Sequence, residues 1–234
     1  MMQIFGPLSA DHWVVFIADR IDRSGKVKEH VENEQTLNMY MYDIDPEVAQ
    51  LFMRADPLII PSILESNDEA NQGGDDKNQI KVKDVEQDMN NMNMNSAFSS
   101  SAADATERSG ISTLMTHGHV VHDHLFEPCG YSMNGCANGD AYWTIHITPE
   151  AHCSYASFET NYKEGGYEEI IKRVINVFKP KRFTTVEHLD CQSAAQKEEE
   201  VSAVNVNKYI VNNRVLNDFA DKAYTIQMCN FVAE

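Results

Sequence analysis

The chain has no apolar run of about eighteen residues, the length a membrane-spanning helix requires, so no transmembrane segment is expected. Positive charge is scarce. Lys and Arg number 19 against 36 Asp and Glu, for a formal net charge of −17 over 234 residues. A field of that sign repels phosphate, which argues against nucleic acid and against an anionic membrane as partners. Paired cysteines are missing too. Cys129, Cys136, Cys153, Cys191 and Cys229 are odd in number and contain no CxxC, which fits a reduced, cytoplasmic setting better than a disulfide framework. The opening Met1–Pro7 lacks a basic stretch followed by an apolar core, so no secretory signal is expected.

What is present divides into three parts. Residues 1–65 read as structured: His12–Ala18 has the length and β-branched content of a strand, and Arg20–Lys28 is a charged turn. Asp45 and Pro46 then mark a helix start, as N-cap and first helical residue, with Val48, Leu51 and Phe52 on its apolar face. Residues 66–108 are dominated by Asp, Asn, Glu, Gln, Ser and Gly, and cannot bury enough apolar area to offset the entropy of ordering. They are expected to form a disordered acidic insertion, with a short helix or turn restarting order at Ser109–Met115. Residues 109–234 carry most of the patterned segments.

In this last part, Tyr155–Glu159 predicts a strand with Tyr155, Ser157 and Glu159 on one face and Ala156 and Phe158 on the other. Tyr167–Phe178 predicts an amphipathic helix with Ile170, Ile171, Val174, Val177 and Phe178 as its stripe, stopped by Pro180. Arg182–Val186 and Ala223–Val232 predict further strands, while Ala194–Asn207 has no clear period. Strand hairpins followed by one amphipathic helix and more strands indicate an α+β fold, antiparallel sheets covered on one side by helices. The run His117, His119, His122 and His124 splits its imidazoles between two strand faces. That leaves no convergent tetrahedral set, so no metal site is assigned there.

The most informative stretch is Phe126-Glu-Pro-Cys-Gly-Tyr-Ser-Met-Asn-Gly135 followed by Asp140–Glu150. It reads as a turn rich in small and polar residues, containing Ser132, packed against an alternating strand. Trp143, Ile145 and Ile147 point one way; Tyr142, Thr144, His146 and Thr148 point the other. A face of Tyr, Thr, His and Thr beside a serine suggests a lined site rather than a wetted surface.

This run resembles the signature of eukaryotic S-adenosylmethionine decarboxylase, a pyruvoyl enzyme of polyamine synthesis. The similarity continues through Ser154–Asn161 and Tyr167–Pro180, and more weakly through Asp11–Asp19, Glu34–Leu37 and Asp43–Phe52. The resemblance implies a four-layer αββα sandwich with an internal repeat, to which residues 1–65 contribute strands and a short helix and residues 109–234 the second repeat. It also implies a covalent pyruvoyl group made by self-cleavage at a serine within Glu-Ser-Ser, with CO2 lost from S-adenosylmethionine on the way to spermidine and spermine.

By the same resemblance, His146 is the base of the processing reaction and Ser132 the hydroxyl that supports it. An imidazole titrates near neutrality, which suits proton removal. Phe126 matches the aromatic ring that stacks on adenine, and Glu150 the acid that hydrogen-bonds the ribose hydroxyls. Glu34, Thr36 and Glu159 match positions that hold a putrescine effector in some members. Asn38 stands where an acid is expected, which weakens attraction for that dication.

One motif is missing: these 234 residues contain no Glu-Ser-Ser. Leu64-Glu65-Ser66-Asn67 is the nearest lookalike, and it reads as loop. The expectation is a carboxyl-terminal portion of such an enzyme, its pyruvoyl group not generated from this chain. Its partner would be the N-terminal half or a full-length decarboxylase paralogue. The alternative is a catalytically dead paralogue that regulates an active decarboxylase, or an inactive fragment.

Overall fold

The computed structural model describes residues 2–5, 8–9, 12–16, 35–54, 98–115, 119–137, 141–162, 166–190, 206, 208–219 and 224–234. Arg20–Lys28, Glu34, Glu65-Ser66 and most of the central acidic stretch lie outside these residues. Strands β1 (Met2–Phe5) and β2 (Trp13–Phe16) pair antiparallel as a small ladder. Eight further strands form one antiparallel sheet: β3 (Gln35–Tyr42), β4 (His119–Leu125), β5 (Tyr131–Ala137), β6 (Tyr142–Thr148), β7 (Tyr155–Thr160), β8 (Arg182–Asp190), β9 (Tyr209–Phe219) and β10 (Tyr224–Ala233). Their spatial order is β4-β5-β6-β7-β3-β8-β10-β9. Helices α1 (Pro46–Gln50), α2 (Ala102–Ser109) and α3 (Tyr167–Phe178) complete the described elements, with a 3-10 turn at Ile111–Thr113.

One face of the sheet is apolar by strict alternation. Leu37, Met39 and Met41 of β3, Ile145 and Ile147 of β6, and Ala156 and Phe158 of β7 are buried together with the stripe of α3. That stripe runs Tyr167, Ile170, Ile171, Val174, Ile175 and Phe178, each within 6% of full burial. Ile175 takes the place expected of Val177, which is only partly covered. The spacing i, i+3, i+4, i+7, i+8, i+11 follows the 3.6-residue turn, and position 177 falls off it.

Three expectations change. The stretch containing Ser132 is not a turn but strand β5, because both of its edges are paired, to β4 and to β6. Those two ladders satisfy its backbone and override the weak strand preference of Gly, Ser and Asn. Order also returns well before Ser109. Ser101 caps α2 by accepting from Asp104 N at 3.1 Å, Asp104 accepts in turn from Ser100 N at 2.8 Å, and Gly110 closes the helix in the left-handed region at φ 84°. These capping bonds are stronger local information than the polar composition around them. Finally, β9 was not anticipated. Its Asn-rich sequence hides the period, and its place at the sheet edge leaves Ile210 and Leu216 exposed.

Two contacts set the frame of the site. The Asp45 carboxylate accepts from Glu47 N and Val48 N at 2.9 and 3.3 Å, fixing the start of α1. On the helix side, Thr106 of α2 bonds Asp123 and the Tyr131 hydroxyl, each at 2.6 Å, and so pins α2 to β4 and β5. A cavity of about 360 Å³ between α2 and these strands, lined in part by Thr106, Asp123, Met133 and Trp143, lies on this helix face.

Candidate functional site

The opposite face of the sheet is where the chemistry-bearing side chains stand. Register places His124 of β4 across from Ser132 of β5, Ser132 across from His146 of β6, and His146 across from Ser157 of β7. All are exposed or half-buried, while Met133, Ile145 and Phe158, one step along each strand, are buried. Side-chain alternation alone sorts the two sets.

Within this row Ser132 Oγ and His146 Nδ1 lie 2.9 Å apart and share a hydrogen bond. Which atom donates follows the imidazole tautomer. With the ring proton on Nε2, the serine hydroxyl donates to Nδ1, the arrangement of a hydroxyl beside a base. The register of β5 against β6 is what puts them there. A slip of one residue would send Ser132 to the apolar face.

Phe126 and Glu150 sit at one end of the same strands. Phe126 directly follows β4 and is 44% exposed; its N–H donates to Gly130 O at 2.9 Å, closing the Phe126–Gly130 turn. Gly130 has φ 106°, a conformation that a side chain would strain. The turn is held from outside by residues 52–54. Gly130 N donates to Phe52 O at 2.9 Å, Arg54 N donates to Pro128 O at 3.0 Å, and the Arg54 guanidinium meets Glu127 at 2.6 Å. Arg54 is a support the sequence reading missed, since nothing local ties residue 54 to residue 127.

Glu150 follows β6 and Pro149. Its Oε2 is buried and has no hydrogen-bond partner among the described residues. The Cys129 thiol of the Phe126–Gly130 turn bonds the same carboxyl group. Burial first, then that hydrogen bond and the carboxylate charge, push the thiol above its ordinary range. Cys129 therefore stays protonated as a donor, and it links the Phe126 turn to Glu150. A carboxylate oxygen buried without a partner is a group that calls for a donor.

The effector positions assemble in part. Glu159 of β7 accepts from the Tyr142 hydroxyl at 2.8 Å, and Thr36 of β3 bonds the same tyrosine. Burial, then the bond to Glu159 and its charge, push Tyr142 up to about 12. Burial, then Glu159 and Tyr42, raise Tyr40. Asn38 is the cross-strand partner of Glu159, so the acid expected there is an amide. Glu34 lies outside the described residues. Tyr142 was placed on the polar face by sequence; its partnership with Glu159 follows from the β6–β7 pairing. His122 and His124 share the open face, two residues apart on β4, and among the described residues no three His, Cys, Asp or Glu side chains converge on one point.

The adenosylmethionine decarboxylase family model matches residues 2–232. The S-adenosylmethionine decarboxylase proenzyme of Dictyostelium discoideum is 32% identical over 228 residues, covering 97% of this chain and 47% of that protein. The Leishmania donovani proenzyme is 30% identical over 237 residues, covering 98% and 50%. The chain thus spans about half the length of the curated relatives it matches. Among solved structures, a Trypanosoma brucei AdoMetDC-delta26 monomer superposes with a TM-score of 0.61 at 24% identity, covering all of this chain and 72% of that one. At that identity the likeness speaks for the fold.

Proposed function

The chain belongs to the adenosylmethionine decarboxylase family, and on that premise we propose that it forms part of an enzyme decarboxylating S-adenosylmethionine for spermidine and spermine synthesis. The observation that carries this reading is the 2.9 Å contact between Ser132 Oγ and His146 Nδ1 on paired strands. A regulatory paralogue without chemistry of its own would have no use for that pair.

The cofactor in this reading is a pyruvoyl group, which supplies a carbonyl that accepts the electrons left when CO2 departs. The residues of the open face fit its formation: a hydroxyl and an imidazole in direct contact, on a surface that a second polypeptide segment can reach. The serine that would become the group has no counterpart among the described residues, and Glu-Ser-Ser is absent from the 234 residues. We therefore assign it to a segment outside this chain, either the N-terminal half of such an enzyme or a full-length decarboxylase paralogue.

The side chains present do the rest. His146 takes and returns a proton at Nδ1, with Ser132 orienting the ring and offering its hydroxyl to a neighbouring carbonyl. Phe126 offers a flat, exposed ring to the purine. Glu150 offers its carboxylate to the ribose hydroxyls; its Oε2 is buried without a partner and has to be uncovered to meet them. Glu159, Thr36 and Tyr142 offer one carboxylate and two hydroxyls to an ammonium group. With Asn38 neutral, a dication such as putrescine is held at one end only, and its influence on this chain is weak.

The test is co-expression of this chain with the amino-terminal half of a curated relative, followed by assay of CO2 release from carboxyl-labelled S-adenosylmethionine. The expected result is release from the pair, none from the chain alone, and loss on His146→Ala. Turnover by the chain alone would refute the external carbonyl. Unchanged turnover in the His146→Ala pair would remove the proposed role of the contact.

A further inference from the structure

The open face holds one more group in direct contact with the site, to which no role has been given so far. His124 of β4 stands two residues before Phe126, and their ring centroids are 4.5 Å apart at 68°, an edge-to-face pair. His124 is also the cross-strand partner of Ser132. The line His146, Ser132, His124, Phe126 is therefore continuous, from the proposed proton acceptor to the proposed base-stacking ring.

A phenylalanine 44% exposed at a strand end has room to swing between rotamers. Two neighbours limit it here. Gly130 lies close alongside, since a Cβ built there would meet Phe126 Cδ2 at 3.7 Å and Cβ at 3.8 Å. The His124 imidazole sets the ring plane from another side. Glycine contributes backbone only, so the ring's tilt rests on the imidazole.

We propose that His124 is a positioning residue for nucleoside recognition: its imidazole edge holds the Phe126 ring in the plane that a purine stacks against. This rests on the reading of Phe126 and Glu150 as a nucleoside pocket. Fixing a ring in its bound orientation saves the ordering cost on binding, and an edge-to-face aromatic contact is of the size that shifts a dissociation constant by about 3- to 10-fold. The effect belongs to affinity, because His124 touches the ring and not the reacting atoms.

The experiment measures binding of 5′-methylthioadenosine to the full chain by ligand-observed saturation-transfer NMR. This probe carries the nucleoside of S-adenosylmethionine without the amino-acid group, so it needs no carbonyl. His124→Ala is expected to weaken binding about 3- to 10-fold, and His124→Phe, which keeps an aromatic edge, to restore it. Phe126→Ala and Glu150→Gln are expected to reduce it further. The urea midpoint of His124→Ala should equal that of the parent, since the side chain is exposed, which separates positioning from unfolding. If the parent binds and Phe126→Ala loses binding while His124→Ala matches the parent, the positioning role is wrong and the pocket stands. If the parent chain itself shows no saturation transfer, the nucleoside pocket is wrong and the role of His124 falls with it.

Discussion

Replacing Gly135 by alanine is the sharpest probe of the register that creates the Ser132–His146 contact. Gly135 is the cross-strand partner of Trp143, and the indole lies over it. A Cβ on residue 135 would stand 2.2 Å from Trp143 Cε2, 2.3 Å from Cζ2 and 2.7 Å from Nε1. Ordinary carbon contacts are about 3.5–4.0 Å, so ring or strand must move by more than about 1 Å. Trp143 is 2% exposed, so the indole can yield only inward, towards the cavity that it lines with Met133 and residues of α2. Overpacking of this kind costs roughly 1–3 kcal/mol, and full loss of a tryptophan's packing roughly 3–5 kcal/mol. We expect Gly135→Ala to cost about 3 kcal/mol, a fall in Tm of about 6–12 °C for a chain of this size. Urea denaturation followed by far-ultraviolet circular dichroism measures it. The same substitution on a Trp143→Leu background, where the indole is gone, should cost less than about 1 kcal/mol, because Gly135 has an ordinary strand backbone that alanine adopts. A single-variant cost below about 0.5 kcal/mol, or additive single and double variants, would show that the indole does not lie where β5 and β6 place it.

Other outcomes follow from the same structure. In the co-expressed pair, His146→Ala should slow processing roughly 10²–10⁴-fold, read by mass spectrometry of the cleaved chain, and Ser132→Ala should also slow it. Asp45→Ala removes the acceptor for Glu47 N and Val48 N, and should cost about 1 kcal/mol by urea denaturation while Asp45→Asn costs less. Alkaline pH should destabilise the fold through its tyrosines. Burial first, with the charge of Asp123 adding, pushes Tyr131 up to about 12 in spite of its bond to Thr106, and burial likewise pushes Tyr155 up to about 12. Because the folded state holds these protons more tightly than the unfolded chain, the stability they contribute is complete below about pH 10. It is lost progressively as pH rises towards 12, by roughly 2 kcal/mol for the nearly inaccessible Tyr131. Tyrosinate absorbance near 295 nm, an approximate wavelength for that ion, should rise together with unfolding; a rise near pH 10 with the fold intact would contradict this.

The elements with a clean period were legible from residues alone. Trp143, Ile145 and Ile147 point to the core and His146 points away, and Tyr155–Glu159 alternates as read. Helix α3 was placed, with one stripe position misassigned because Val177 and Ile175 are equally apolar and only the geometry of the turn separates them. Strand β5 was hidden. Its Ser, Asn and Gly look like turn chemistry, and what makes it a strand is the pair of neighbours supplied by β4 and β6, which no window of sequence contains. The same holds for the site. Ser132 and His146 were assigned by resemblance, but the hydrogen bond between them is a product of register, fourteen residues apart in sequence and adjacent in space. Arg54, Cys129 and Tyr142 gained their roles through contacts of the same non-local kind.

The contrast between the two faces of the sheet explains why the proposed chemistry needs a second segment. On the helix side, apolar residues from β3 and from β5 to β8 and the stripe of α3 bury one another. On the other side, from β4 across to β3, the row His124, Ser132, His146, Ser157 and Tyr40 remains exposed or half-buried. Decarboxylation at a carbonyl proceeds best where water is excluded and fixed dipoles replace it. A lone sheet face offers the dipoles without the exclusion. A covering segment that brought only apolar side chains would bury the polar atoms of this row that the Ser132–His146 bond leaves open, at a cost of about 1–3 kcal/mol for each buried and unsatisfied group. In the proposed reading, the face therefore favours a covering surface with its own polar groups above the Ser132–His146 pair, as a segment carrying a reactive serine and its peptide carbonyl would have. An apolar sheet of equal area would be rejected by the same residues.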